Sequence, residues 1–181
     1  MATLYSELHD WEAVRSRVVT DNSFQARKQA SATRVARELA FRLEGLSQNE
    51  LSLLVDGSDG ERRQILWIAI CRRYRLIAEF AIEVMRERFI NFGPPLQLED
   101  FDTFYDRKAD WSAELDKLAT VTRNKLRQVL FRMLRETGLI TDDGTIQPVL
   151  LSERVQQAVG REHASDLLYF PVFEADLARR A

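Results

Sequence analysis

Apolar residues recur at intervals of three and four along most of the chain, the spacing of one face of an α-helix. Val35, Leu39, Leu43 and Leu46 form one such stripe. The pattern predicts helices over residues 6–19, 31–46, 59–92 and 98–111, with the polar connector TDNSFQARKQAS after the first. Because residues 59–92 are apolar over too wide an arc for a surface helix, we interpret them as a helix or helix pair at the centre of a bundle.

Polar residues and prolines predict where these elements begin and end. Ser47 and Glu50 have the spacing of a capping box at the start of a short helix that ends near Asp56. Asp59 is predicted to cap the long apolar stretch, and the run Gly93-Pro94-Pro95 to separate it from the next helix. Residues 1–110 are therefore predicted to form a helical bundle.

The remaining residues, 111–181, predict a different arrangement. A short helix follows Ser112, and a second helix, capped by Thr122, ends at Gly138. The segments LIT and IQPVLL on either side of DDGT predict a short β-hairpin, in which Pro148 restricts the second strand to an edge. This order is typical of a winged helix-turn-helix. We therefore predict an all-α fold, mainly a helical bundle, with a winged-helix-like C-terminal portion packed on it.

The distribution of charge singles out the helix after Thr122. The chain has 26 basic and 28 acidic residues and a pI near 5.8, so any contact with a polyanion requires a local patch. Residues 122–135 contain five cations and no acid, while the rest of the chain has 21 basic against 28 acidic residues. The five cations are Arg123, Lys125, Arg127, Arg132 and Arg135.

A helical wheel separates this segment into two sides. Leu126, Val129, Leu130, Met133 and Leu134 are predicted to face the core. Lys125, Gln128, Arg132 and Arg135 lie opposite, with Arg123 and Arg127 at the edge. Ordinary solvated helices mix charge signs, because opposite charges three or four residues apart stabilise them. The pattern favours contact with nucleic acid over a protein-partner surface or a merely solvated face. The predicted DNA-binding residues are Arg123, Lys125, Arg127, Gln128, Arg132 and Arg135.

A second basic group precedes and enters the helix predicted at residues 31–46. Arg27 and Lys28 lie in the connector, and Arg34 and Arg37 project from the side opposite Val35 and Leu39. A flexible basic segment that leads into a basic helix suits a phosphate backbone. Ordinary helix solubility explains the same residues equally well, so they are secondary DNA-binding candidates.

Residues that could support catalysis are scarce. The chain has one cysteine, Cys71, in an apolar run, and two histidines without a second ligand nearby, which excludes a structural zinc site. No phosphate-binding loop or nucleophile elbow occurs. Five acids could in principle hold Mg²⁺ for a nuclease, but such spacings arise easily on an exposed helix; they are Glu99, Asp100, Asp102, Asp106 and Asp110. We predict no catalytic residue, metal, cofactor or small-molecule substrate.

Two further features bear on location. The most apolar segment, residues 65–71, is too short to span a membrane, which requires about 20 residues. The sequence MATLYSELHDWEAV lacks the basic flank and apolar stretch of a signal peptide. A cytoplasmic protein without membrane contact is expected.

The segments RELAFRLEGL, LWIAICRRYRLIAEFAIEVMRERF and TRNKLRQVLFRMLRETGLI resemble the BrxA family of bacteriophage-exclusion (BREX) systems, over roughly residues 30–151. The resemblance implies a non-enzymatic component of a phage-defence system that binds double-stranded DNA and other BREX proteins, with a helical fold similar to the antitermination factor NusB. Two alternatives remain open. One is a protein adaptor, with LLYFPVF and the aromatic residues Phe101, Phe104 and Tyr105 as an exposed groove; the other is a NusB-like RNA-binding factor.

Overall fold

The computed structural model describes residues 1–173, which are mostly helical. In chain order the elements are α1 (Ala2–Leu8), α2 (Trp11–Thr20), α3 (Gln29–Leu43), α4 (Gln48–Asp56), α5 (Asp59–Arg73), α6 (Arg75–Phe80), a π-helical segment (Ala81–Arg86), α7 (Glu87–Ile90), α8 (Leu98–Ala109), α9 (Ala113–Asp116), α10 (Thr120–Glu136), α11 (Glu153–Val159) and a 3₁₀ helix (Ala164–Tyr169). The all-α prediction is confirmed.

The chain forms two compact units. Unit 1 comprises Met1–Tyr74 and Leu151–Ala164, and unit 2 comprises Arg75–Leu150 and, among the described residues, those from Ser165 to Phe173. The first boundary falls where α5 ends and α6 begins, at Tyr74. The predicted boundary at residue 110 lies within unit 2, and unit 1 is built from two separate stretches of sequence.

The N-terminal helices of unit 1 differ from the single helix predicted over residues 6–19. His9 adopts a left-handed conformation with φ of 50° and ends α1. Asp10 then caps α2, because its carboxylate accepts the backbone N–H of Glu12 at 2.8 Å. The break allows α1 to turn back, and the ring of Tyr5 stacks on that of Trp11 at 4.2 Å between centroids.

Unit 1 has a small-residue helix contact at its core. Ala32, Ala36 and Ala40 recur every fourth residue on one side of α3, and all three are buried. Val14 and Val18 of α2 are buried in the same cluster as Ala36. Because alanine adds little volume, α2 and α3 can approach each other closely along this side.

The starts of α4 and α5 are both capping boxes. The predicted box of Ser47 and Glu50 is confirmed, and Ser58, not Asp59, caps α5 together with Glu61. Glu50 is also fully buried, where its carboxylate accepts two hydrogen bonds from the guanidinium of Arg72 at 2.7 and 2.8 Å. Cys71 is buried, as predicted.

Helix α11 returns to unit 1 and completes it. The hydroxyl of Ser152, which caps α11, donates to Glu61 at 2.9 Å. Arg154 forms ion pairs with Asp56 at 3.0 Å and with Glu61 at 3.3 Å. Val155 is completely buried. Residues distant in sequence therefore close the face formed by α4 and α5.

Unit 2 is built around a cluster of phenylalanine rings. The centroid of Phe80 lies 5.4 Å from Phe104, 6.0 Å from Phe101 and 6.3 Å from Phe131. Phe101, Phe104 and Tyr105 are at most 3% exposed. The exposed aromatic groove predicted for the adaptor alternative is therefore wrong, since these rings form core. In the segment LLYFPVF, Leu167, Phe170, Pro171 and Val172 are also buried.

The predicted β-hairpin after α10 is reduced to a turn. One antiparallel bridge joins Ile140 and Ile146, and no strand forms within residues 1–173. Two hydrogen bonds hold the turn. The N–H of Thr141 donates to the carbonyl of Thr145, and the N–H of Thr145 donates to the carboxylate of Asp143. Pro148 has no N–H to extend a ladder. The structure therefore does not support the winged-helix interpretation, because the β-hairpin that would form the wing is absent within residues 1–173.

Candidate nucleic-acid interface

Helix α10 carries the main candidate residues and has well-defined ends. It begins at Thr120 after Ala119, earlier than the predicted cap at Thr122. At its C-terminus the N–H of Leu139 donates to the carbonyl of Leu134, and that of Gly138 donates to Arg135, both at 2.9 Å. This is a Schellman motif with Gly138 at φ of 76°, as the sequence predicts.

The helix is rotated relative to the predicted wheel. Leu130, Phe131 and Leu134 are buried, whereas Leu126, predicted to face the core, is 37% exposed. Phe131 was not assigned to the core by the sequence pattern, yet its ring belongs to the aromatic cluster of unit 2. The rotation brings the side of α10 that carries Arg123 and Arg127 towards α8.

Arg123 and Arg127 form ion pairs inside unit 2. Arg123 donates to Asp106 at 2.5 Å and to the carbonyl oxygen of Asp102 at 3.0 Å. Arg127 donates to the carboxylate of Asp102. The hydrogen bond to Asp106 is the main cause that raises the pKa of Arg123 above its ordinary value. Because Asp102 and Asp106 are four residues apart on α8, one face of that helix receives both arginines.

Tyr105 completes this contact between α8 and α10. The guanidinium carbon of Arg123 lies 4.8 Å from the centroid of the Tyr105 ring, within the range of a cation–π interaction. The Tyr105 hydroxyl donates to the carbonyl of Leu115 at 2.7 Å, and burial raises its pKa. Two of the six predicted DNA-binding residues on α10 thus also hold the fold together.

The other four candidates face solvent. Lys125, Gln128, Arg132 and Arg135 follow one another at intervals of three, four and three residues, so they form one stripe, hereafter the α10 cationic face. Lys125 and Gln128 make no side-chain hydrogen bond or ion pair within residues 1–173. Arg132 lies 3.8 Å from Glu136, and Arg135 lies 4.0 Å from Asp142. Pairs this long and this exposed contribute little.

Three of the five candidate Mg²⁺ ligands, Asp100, Asp102 and Asp106, are engaged in other contacts. Asp102 and Asp106 bind the arginines of α10. Asp100 accepts the N–H of Gln97 at 2.6 Å and pairs with Arg88, so it acts at the start of α8 as predicted. Among residues 1–173 no group of three or more potential ligands is arranged to hold a metal ion.

A second exposed basic surface lies in unit 1. Arg27, Lys28, Arg34 and Arg37 are all exposed, and none of them makes an ion pair or a side-chain hydrogen bond within the described part of the chain. We call these four residues the α3 cationic face. The sixteen residues 22–37 contain these four cations and no acid. That second acid-free window was a signal available in the sequence alongside the one on α10.

The comparison with known families decides the relationship. The BrxA family model matches residues 1–163. The chain belongs to the BrxA family. Both cationic faces fall inside the matched range, so they are parts of the BrxA-family region and not of an appended segment.

Individual relatives agree with this assignment. The chain is 27% identical over 128 residues to a BREX protein BrxA of Bacillus cereus (strain H3081.97), covering 70% of this chain and 64% of that relative. It is 27% identical over 131 residues to one of Paramagnetospirillum magneticum (strain ATCC 700264 / AMB-1), covering 72% of this chain and 66% of the relative. It is 24% identical over 161 residues to a BREX protein BrxA of Escherichia coli O9:H4 (strain HS), and the match covers 88% of this chain and 76% of that relative. The matched part thus spans about two thirds of the first two relatives.

A solved structure shares the fold of this BrxA-family chain. It is the crystal structure of an uncharacterized protein from Magnetospirillum magneticum, with a TM-score of 0.73 and 23% sequence identity. The match covers 87% of this chain and 81% of that one. Within residues 1–173 no helix is both long and apolar enough to cross a membrane.

Proposed function

We propose that this chain is a non-enzymatic component of a BREX phage-defence system and binds double-stranded DNA through the α10 cationic face. The family assignment and the relatives named BREX protein BrxA support the first part. The arrangement of cations on α10 supports the second. The partners are duplex DNA and other proteins of the system, and the chemistry requires no catalytic residue, metal or cofactor.

The observation that carries the DNA proposal is the division of α10 into two sets of cations. Arg123 and Arg127 are neutralised by Asp102 and Asp106 inside unit 2. Within residues 1–173 Lys125 has no carboxylate partner, and the pairs of Arg132 with Glu136 and of Arg135 with Asp142 are long, at 3.8 and 4.0 Å, and exposed. Exposed cations on one side of a helix, at most weakly paired within the protein, are the arrangement that suits phosphate binding.

The dimensions of the α10 cationic face fit duplex DNA. Lys125 and Arg135 are ten residues apart, which is about 15 Å along a helix axis. The major groove is about 12 Å wide, so a helix that lies in it or across it can reach phosphates on both sides. Gln128, in the middle of the stripe, is the side chain suited to contact a base edge. The α3 cationic face supplies secondary phosphate contacts.

Binding of a fluorescein-labelled random 30-base-pair duplex, followed by fluorescence anisotropy across a salt series, tests this proposal. Three phosphate contacts predict that log K falls with log salt with a slope of about −2.7. The single substitution Arg132→Glu should weaken binding and reduce the slope by about 1. Arg107→Glu is the matched control, because Arg107 is another exposed arginine of unit 2 without an ion-pair partner among residues 1–173. Equal affinity of both variants would refute the assignment to α10.

A second candidate function is a protein adaptor in the same system, and one observation favours it. Trp111 is 92% exposed and Val121 is 79% exposed, both in unit 2. Large exposed apolar side chains of this kind mark many protein interfaces. The adaptor predicts that other BREX proteins are retained by the tagged chain after nuclease treatment and lost with Trp111→Ser. If structured RNA displaced the labelled duplex from the protein more effectively than unlabelled duplex does, the NusB-like RNA-binding alternative would be favoured instead.

A further inference from the structure

A groove in unit 1 is formed by residues that do not belong to the α10 cationic face, and it has no role in the function proposed above. It is formed by α2 and α3 and has a volume of about 460 Å³. Glu12 and Arg15 line it from α2, and Thr33, Arg37 and Phe41 line it from α3. Its volume lies within the range of small-ligand sites, which is about 300–1,000 Å³.

Phe41 is on the unexpected side of its helix. Arg34, Arg37 and Phe41 are spaced by three and four residues, so they share one side of α3, and the buried alanines occupy the opposite side. Phe41 is 43% exposed, although phenylalanine is a residue that proteins usually bury. The guanidinium carbon of Arg73 lies 5.5 Å from the centroid of the ring, which orders it. The groove therefore contains an aromatic surface that remains partly accessible.

The charges around this ring are predominantly positive. Arg34 and Arg37 make no ion pair within the described residues, whereas Arg15 pairs with Glu44 at 3.3 Å. Glu12 is the acid that lines the groove from α2. The acid-free window of residues 22–37 runs directly into this side of α3. An anionic ligand with a flat ring matches both features.

We propose that this groove binds single-stranded nucleic acid, with an unpaired base stacked on Phe41 and the adjacent phosphates on Arg37, which lines the groove, and on Arg34, about one turn before it on the same side of α3. Proteins that bind single strands combine a positively charged groove with aromatic side chains on which bases stack. A duplex cannot use the ring in this way, because its bases are already stacked on one another. The site is in unit 1 and is independent of duplex binding by α10 in unit 2.

The test measures binding of fluorescein-labelled dT12 and rU12 by anisotropy. All proteins carry Arg132→Glu and Arg135→Glu, which removes most of the contribution of the α10 cationic face. Phe41→Leu keeps apolar bulk but removes the aromatic face, and it should raise the Kd roughly 5- to 100-fold, the effect of one stacked base. Phe41→Trp keeps an aromatic face and should bind the oligomers like the parent protein, unlike Phe41→Leu. Leu66→Ala is the matched control, since Leu66 is also 43% exposed in unit 1, and it should bind like the parent protein.

The electrostatic part has its own pair of variants. Replacing Arg34 and Arg37 together by glutamine should reduce the salt slope by about 1.4, which is 0.7 for each phosphate of a single strand. Arg63→Gln is the control, because Arg63 is exposed on α5 and has no ion pair within residues 1–173. Whichever of dT12 and rU12 binds with the lower Kd identifies DNA or RNA as the natural source of the strand. Binding of either oligomer supports the proposed site.

Three outcomes would overturn the proposal. One is the absence of dT12 and rU12 binding at about 50 mM salt. Another is Phe41→Leu binding like the parent, which would leave only nonspecific attraction to arginines. The third is an equal loss with Leu66→Ala. The function proposed for α10 is judged separately, from the duplex and its Arg132→Glu variant, so either idea can fail while the other stands.

Discussion

Arg123 and Arg132 lie on the same helix, and replacing each by glutamine should have very different effects on stability. Besides the ion pair with the Asp102 carboxylate, which Arg127 also makes and would retain, Arg123→Gln removes three contacts. The pair with Asp106, whose side chain is 65% exposed, is worth about 0.5 kcal/mol. The hydrogen bond to the carbonyl of Asp102 contributes about 1 kcal/mol, and the contact with the Tyr105 ring about 0.5 kcal/mol. We therefore expect a loss of about 2 kcal/mol.

Arg132→Gln removes much less. The ion pair of Arg132 with Glu136 is 3.8 Å long, and both side chains are about two-thirds exposed, so its loss should cost less than about 0.5 kcal/mol. Urea unfolding followed by circular dichroism measures both free energies, with a comparison of the slopes to show that the unfolding transition itself has not changed. Equal losses, or a loss below about 1 kcal/mol for Arg123→Gln, would refute the division of α10 into folding and binding arginines.

The same two variants should rank in the opposite order in duplex binding. Arg132→Gln removes a solvent-facing cation and should lower affinity at low salt, whereas Arg123→Gln removes a charge already neutralised by Asp102 and Asp106. This crossed result is a stringent test, because a variant that merely unfolds the protein would lower stability and binding together. It would also show that the number of cations in a sequence window overstates the charge available to a ligand.

Three further predictions concern single residues. The pKa of Glu61 lies below its ordinary value of 4.5, first because the backbone N–H of Ser58 donates to the carboxylate. The stabilising effect of the ionised Glu61 is therefore present above its pKa in the unfolded chain, and it is lost as the pH falls through its pKa in the folded protein. Glu61→Gln should therefore flatten the decline in the urea midpoint between about pH 5 and about pH 3. Gly144→Ala should cost more than about 2 kcal/mol in urea unfolding, because φ is 88° and a Cβ would overlap the carbonyl oxygen of Leu96. Gly138→Ala should cost only about 1 kcal/mol, because φ is 76° but the space is open.

Features that depend on neighbouring residues were predictable from the sequence. The capping box of Ser47 and Glu50 and the left-handed Gly138 are settled within four or five residues, and both predictions are confirmed. The break at His9 is also local, but α-helical spacing continues across it and hid the cap at Asp10. Periodicity detects a helical face and does not register a single left-handed residue inside it.

The orientation of α10 could not be predicted from its own sequence. A helical wheel places the apolar residues inward, but the structure turns the helix so that Arg123 and Arg127 meet Asp102 and Phe131 enters the core. Those partners lie on other helices, about twenty residues away or more. For the same reason the adaptor alternative wrongly predicts an exposed Phe101: nothing near it in sequence indicates the ring of Phe80.

The discontinuity of unit 1 has a consequence for synthesis on the ribosome. Its first 74 residues leave the ribosome before α11, and 90 further residues, Arg75 to Ala164, must be added to complete the unit. At 5–20 residues per second this takes roughly 5 to 20 s. During that interval Glu61 lacks Ser152 and Arg154, and the apolar surface that Val155 later covers is open to water. We therefore expect the nascent chain to expose an apolar surface of the kind that chaperones bind until α11 emerges.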